Sequence, residues 1–282
     1  LHESELGDLI EAIQPDQRLA MIRLLGDDFD MTALTEVDEA IRMQIVDQMP
    51  NAQIAAAIGE LDSDDAVYIL EDLEPEDKEE VLAKLPAPDR VALERSLEYP
   101  EETAGRLMSR DLIAVPEAMT VGDLIDYLRR DDELPTEFWE VFIVDHKHHP
   151  VGTCSLSWIL RAPRSVPLAD VMKRDQTLIP VSMDQEEVAL RFQKYALISA
   201  AVVDDDGRLV GQITVDDIVH IIQEEAGEDV LLLSGAGDGD INEPIRETYA
   251  ARVRWLIANL GTALVASSIV GIFGGAIEHM VA

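Results

Sequence analysis

Apolar residues return every 12 positions through the first third of the chain, at Val37, Met49, Leu61, Leu73, Leu85 and Leu97. Each leads a short segment that reads as turn then helix: LDSDDAVYILED, LEPEDKEEVLAK, LPAPDRVALERS. Apolar pairs follow eight and nine residues after the lead, as Ile69–Leu70 and Val81–Leu82, and recur on one face of successive helices. Ser63 and Pro75 stand where an N-cap or first-turn proline belongs. The acids behind them suit the positive end of a helix dipole. Residues 1 to about 98 therefore predict a stack of short helices in the manner of a solenoid, its handedness left open.

From residue 105 to 222 the pattern changes to a duplicated unit with strands. Met108, Arg110, Asp111, Pro116 and Met119 match Met172, Arg174, Asp175, Pro180 and Met183 at an offset of 64. Val144-Asp145, Gly152 and Ser155 match Val203-Asp204, Gly211 and Thr214 at an offset of 59. The first copy thus carries five extra residues, around Arg130–Phe138. Each copy predicts a leading strand, a helix, two strands joined by a turn, and a second helix. In the second copy Ala200–Val203 is a buried strand, Asp204–Arg208 a turn with glycine, and Leu209–Thr214 the return strand. A polar helix should follow, from about Asp216 to Leu233, then the breaker SGAGDGDINEP and a short helix at Ile245–Arg254.

Trp255 to Ile277 is a run of 23 residues without a charge. At 1.5 Å per residue it is long enough for a hydrocarbon core of about 30 Å. Arg252 and Arg254 precede it, so the positive-inside rule puts the N-terminal part in the cytoplasm. The run is expected to be either a single-pass anchor or the first helix of a larger membrane domain. Gly261, Gly271, Gly274 and Gly275 would permit close helix packing and favour the second.

The 282 residues carry 57 acids and 22 bases, a formal charge of −35. Such a surface repels phosphate backbones, which argues against a nucleic-acid partner, and attracts cations. An apolar share of 47% is too high for a disordered acidic chain. The single cysteine, Cys154, excludes an internal disulfide and fits a reducing compartment. Residues 60–80 hold eleven acids and one base, Lys78. Asp216, Asp217, Glu224, Glu225, Glu228 and Asp229 crowd the later helix. At helical spacing Asp217, Glu224 and Glu228 fall near one face, with Glu225 and Asp229 beside it. A hard divalent cation takes oxygen ligands and often keeps several waters, so carboxylates on two mobile surfaces suffice to hold one.

The segments VVDDDGRLVGQITVDD and FIVDHKHHPVGTCSLSW resemble a tandem pair of CBS domains. An acidic helical repeat, LDSDDAVYILEDLEPEDKEEVLAKLP, precedes them, then YPEETAGRLMSRDLIAV; VDDIVHIIQEEAGEDV and ARVRWLIANLGTALVASSIV follow. In motif and order this resembles the cytosolic part and first membrane helix of MgtE-type magnesium channels, over nearly the whole chain. The resemblance implies a multidomain α plus α/β fold. Residues 1–104 would be an all-α superhelical N domain, 105–165 and 166–222 the two CBS domains, 223–254 a connecting (plug) helix and linker, and 255–282 the first transmembrane helix. It implies a homodimer in the bacterial inner membrane with residues 1–254 cytoplasmic, in which Mg²⁺ bound between acidic surfaces favours the closed pore.

On that resemblance the metal candidates are Asp217, Glu225, Glu228 and Asp229, with Asp64 and Asp65 from the helical repeat. His220, Ala196 and Tyr68 stand where the family often has acids, which implies fewer or weaker Mg²⁺ sites. In nucleotide-binding CBS domains a Thr and an Asp three residues later hold phosphate and ribose. Thr214 and Asp217 fit that spacing for ATP, whereas Ser155 and Trp158 in the first copy do not. The rival function is a membrane-anchored adenine-nucleotide sensor without a pore. His146, His148 and His149 read as an exposed turn, and Asp238-Gly-Asp240-Ile-Asn242 as a linker that lacks the calcium-loop glycine and closing acid. No catalytic constellation is legible, so the chain is expected not to be an enzyme.

Overall fold

The computed structural model describes residues 2–26, 29–130, 134–135, 138–222, 249 and 253–268 of the chain. The first hundred residues are helical. After α1 (Glu3–Ala12), α2 (Pro15–Leu25) and a 3-10 turn at Met31–Leu34 come α3 (Glu39–Val46), α4 (Asn51–Ile58), α5 (Ser63–Glu71), α6 (Pro75–Lys84) and α7 (Ala87–Leu97). From α3 to α7 each helix starts 12 residues after the last, two positions beyond Val37, Met49, Leu61, Leu73 and Leu85, whereas Leu97 leads no helix and ends α7. The leads Val37, Met49, Leu73 and Leu85 are buried, as are Ile69, Leu70, Val81 and Leu82. One continuous apolar cluster runs from Leu6 to Leu93. Helices this short are marginal alone, so the shared apolar face holds them. Pro75 opens α6 as predicted. Asp62, not Ser63, is the N-cap of α5, and Ser63 is its first helical residue.

A four-residue helix, α8 (Ala104–Leu107), connects the helical domain to the duplicated unit. The first copy then runs β1 (Ala114–Pro116), α9 (Val121–Leu128), β2 (Glu140–Val144), β3 (Pro150–Ser155) and α10 (Leu156–Arg161). After α11 (Leu168–Val171) the second repeats it: β4 (Leu178–Pro180), α12 (Gln185–Tyr195), β5 (Ser199–Val203), β6 (Leu209–Thr214), then a helix at residues 215–222. Both sheets have the same topology, with a parallel first pair and an antiparallel second. Phe142 and Val144 meet Ala201 and Leu209 between the two sheets, which joins the copies into one body.

The copies also interlock at two glycines. A Cβ on Gly211 would lie 2.6 Å from the Met108 sulfur and 2.8 Å from the Ser109 carbonyl oxygen. A Cβ on its repeat-mate Gly152 would lie 2.8 Å from the Met172 sulfur and 2.9 Å from the Lys173 carbonyl oxygen. Each copy's methionine therefore sits on the other copy's glycine.

Residues 253–268 are helical, and most are exposed. Among the described residues no helix is long and apolar enough to cross a membrane. The rest of the apolar run, from residue 269, and the polar helix beyond residue 222 lie outside the described residues.

Candidate cation-sensing site

The acidic first turn of α5 faces the helix that follows β6. Asp64 and Asp65 come from the N domain, and Asp217 from the second CBS copy. Burial is the main cause that raises the Asp64 carboxyl well above the usual range, and the charge of Asp217 adds to it. Asp65 is pushed up to about 7, again by burial first, then by Asp217, Asp62, Glu36 and Asp216. Asp217 is also raised by burial, against two hydrogen bonds that favour its charged form. Those come from Thr214, whose backbone N–H donates at 3.0 Å and whose hydroxyl donates at 2.7 Å. Asp64 Oδ1 is buried without a hydrogen-bond partner. An orphaned carboxylate oxygen in such a place costs free energy unless a proton or a cation meets it. The donor set, hard oxygens from two domains, fits a hydrated Mg²⁺. Among the described residues no three acids or histidines converge closely enough to form a finished metal cage.

One imidazole reaches into this region. His220 Nε2 lies 3.3 Å from Glu36 Oε1, across the same boundary between the domains. Glu36, Asp62 and Asp216 had no signal in the sequence that set them apart from the other acids. Glu225, Glu228 and Asp229 lie outside the described residues.

A network fixes how the domains meet here. The Ser63 backbone N–H and hydroxyl both donate to Asp111 Oδ2, at 2.9 and 2.8 Å. Arg110 N–H donates to Ser63 Oγ at 2.8 Å, and Arg110 Nε to Ser96 Oγ at 3.0 Å. At the other end of α5, Arg106 Nη1 meets Glu71 Oε1 at 2.7 Å while its Nε and Nη2 hold the Tyr99 carbonyl. The Ser63–Asp111, Ser63–Arg110 and Glu71–Arg106 partners are 35 to 48 residues apart in the chain, so no local pattern could have paired them.

An open cleft lies elsewhere, between the two CBS sheets and α12. It encloses about 1360 Å³ and is lined by Thr153, Lys173, Asp175, Leu178, Arg191 and Lys194, among others. Arg191 is held by Glu187 at 2.8 Å. Thr214 does not line this cleft, and it gives its hydroxyl to Asp217. The histidines of the β2–β3 turn gather no metal set; His149 Nδ1 bonds Asp145 Oδ2 at 3.0 Å. Cys154 is buried in β3, and burial pushes its thiol up to about 11.

Residues 1–102 match the family described as MgtE intracellular N domain, and residues 104–164 and 168–224 each match the CBS domain. The magnesium transporter MgtE of Thermus thermophilus is 34% identical over 197 residues, covering 68% of this chain and 44% of that protein. MgtE of Bacillus subtilis is 27% identical over 249 residues, covering 88% and 55%. The chain thus spans about half the length of the relatives it matches. The soluble part of a magnesium transporter superposes with a TM-score of 0.68 at 25% identity, over 80% of this chain and 89% of that one. The cytosolic domain of the Mg²⁺ channel MgtE in complex with ATP gives 0.58 at 27% identity, over 77% and 93%. With its 12-residue helical repeat joined through α8 to a duplicated CBS unit, the chain belongs to the MgtE family, of which it carries the intracellular N domain and the CBS pair.

Proposed function

We propose that this chain is the cytosolic Mg²⁺-sensing gate of a Mg²⁺ channel, in which a cation between the N domain and the CBS pair favours the closed state. The observation that carries the reading is the half-buried Asp64 and Asp65 of one domain facing the half-buried Asp217 of the other, with Asp64 Oδ1 buried and unpartnered. Holding Asp65 ionised in this place costs on the order of 4 kcal/mol. Bound Mg²⁺ supplies the positive charge that offsets such a cost. Asp64 and Asp65 offer oxygens from α5, Thr214 holds Asp217 in place, and closure then tightens binding as binding favours closure. Glu225, Glu228 and Asp229 extend the acidic surface along the sequence of the connecting helix. The reading includes a homodimer, an anchor at 255–277 in the bacterial inner membrane, and cytoplasmic placement of residues 1–254.

The test is limited proteolysis of the chain in detergent across a Mg²⁺ titration, with Na⁺ at matched ionic strength. Protection of the N domain by Mg²⁺ alone, weakened by at least about tenfold in Asp217→Asn, is expected from the loss of one ligand charge. Equal protection by both ions is screening and overturns the reading.

A nucleotide is the second ligand we propose, as modulator of the gate. The open cleft with Lys173, Arg191 and Lys194 favours it, as does the ATP-bound relative. Its site is then that cleft rather than Thr214 alone. ATP binding by calorimetry, lost in Lys173→Glu, is the expected outcome. If ATP binds and Mg²⁺ gives no specific protection, the nucleotide sensor replaces the gate.

A further inference from the structure

The two CBS copies exchange their leading loops. Ser109 and Gln212 trade backbone hydrogen bonds of 2.8 Å in both directions, and Lys173 and Thr153 do the same at 2.8 and 3.0 Å. The pair thus has two flanks related by its internal repeat. On one flank Lys173, Asp175 and Thr153 line the open cleft. On the other, their repeat-mates Ser109 and Asp111 meet Ser63 of the N domain, and Gln212 holds the Asp111 carbonyl behind them. Asp111 Oδ2 takes both donors of Ser63, and the Asp111 carbonyl is held by Gln212 Nε2 at 2.8 Å.

Ser63 opens α5, and the first N–H groups of a helix have no acceptor within it. Asp62, the N-cap, makes no side-chain capping bond. A carboxylate from another domain does this work instead. We propose that the N-terminus of α5 is an intramolecular ligand of the CBS pair, seated by Asp111 on the flank equivalent to the open cleft, and that Asp111 is a positioning residue that sets the cation threshold.

The proposal rests on the gate reading above. Asp64 and Asp65 follow Ser63 directly, so the hold on Ser63 fixes where their carboxyl groups fall opposite Asp217. When ionised, those three repel. Asp111 supplies an attraction between the same two domains that needs no cation, and charge-assisted hydrogen bonds of this kind are about twice as strong as neutral ones. Without it, more cation must be bound to reach the same closure.

The experiment is the proteolysis titration on the whole chain with Asp111→Asn, Ser63→Ala and both together. Asp205→Asn, in the exposed β5–β6 turn, is the charge control. The Mg²⁺ midpoint is expected to rise roughly five- to thirty-fold in Asp111→Asn and by less in Ser63→Ala, which keeps its backbone N–H, with the double below the sum of the two. A midpoint within about twofold of the parent for Asp111→Asn, or additive effects in the double, overturns the proposal. Circular dichroism identifies a variant that fails to fold; Ser63→Ala, which leaves Asp111 its bonds to Ser109 and Gln212, then decides alone. If the parent shows no Mg²⁺-specific protection, the gate reading falls. Hydrogen exchange at residues 63–66 in chelator then settles the seating of α5, with faster exchange in Asp111→Asn supporting it and unchanged exchange overturning it.

Discussion

His148 holds a left-handed backbone conformation, φ 68°, at the position where its repeat-mate Gly207 has φ 79°. The second copy meets the demand of the turn with glycine, and the first meets it with an exposed imidazole at a steric cost. His148→Gly should therefore stabilise the chain by about 0.5–1 kcal/mol, read as a higher urea midpoint at unchanged slope. Asp65 gives a pH prediction. Its carboxyl is pushed up to about 7 in the docked arrangement, against an ordinary 3.8. The docked form thus binds more protons between those values, so docking in chelator is strongest below about pH 4, weakens as pH rises, and levels off above about 7. Hydrogen exchange across α5 from pH 5 to 8 should show this loss of protection, and Asp65→Asn should reduce it, leaving the part carried by the raised carboxyls of Asp64 and Asp217. Asp64, Asp65 and Asp217 lie in dense acidic runs, and the family resemblance singled them out among those acids. The sequence could not mark Glu36 or Asp111, because their roles depend on what a distant segment brings to them.

At the level of elements, periodicity was the most legible signal. A 12-residue spacing of single apolar positions foretold five helix starts, because each short helix must bury the same face against its neighbours. The offsets of 64 and 59 foretold two sheets of identical topology. What the periods left out was how elements touch across copies. Gly152 and Gly211 read as strand glycines, yet each is the floor on which the other copy's methionine rests, with a backbone carbonyl beside it. Gly211→Ala and Gly152→Ala should each cost about 1–3 kcal/mol, because neither methionine nor backbone can retreat freely; thermal melts of the chain check this. Gly105→Ala should cost as much, since its Cβ would lie 2.6 Å from the Tyr99 ring.

For the whole molecule, charge and the apolar run pull in different directions. A formal charge of −35 makes the chain a counter-ion sink, while 23 uncharged residues near its C-terminal end ask for lipid. The chain should co-sediment with vesicles, and removal of residues 255–282 should leave it in the supernatant. Domain order was readable because each domain has its own period. Docking was not, because it rests on hydrogen bonds between residues far apart, such as Arg106 with Glu71 and Ser63 with Asp111. The crossed methionine–glycine contacts also bear on stoichiometry. One copy alone would own a methionine with no floor and a floor with no methionine, so the smallest number of copies that closes both contacts is two. Residues 105–165 made as a separate chain should accordingly pair with themselves, which makes the tandem a dimer written into a single reading frame.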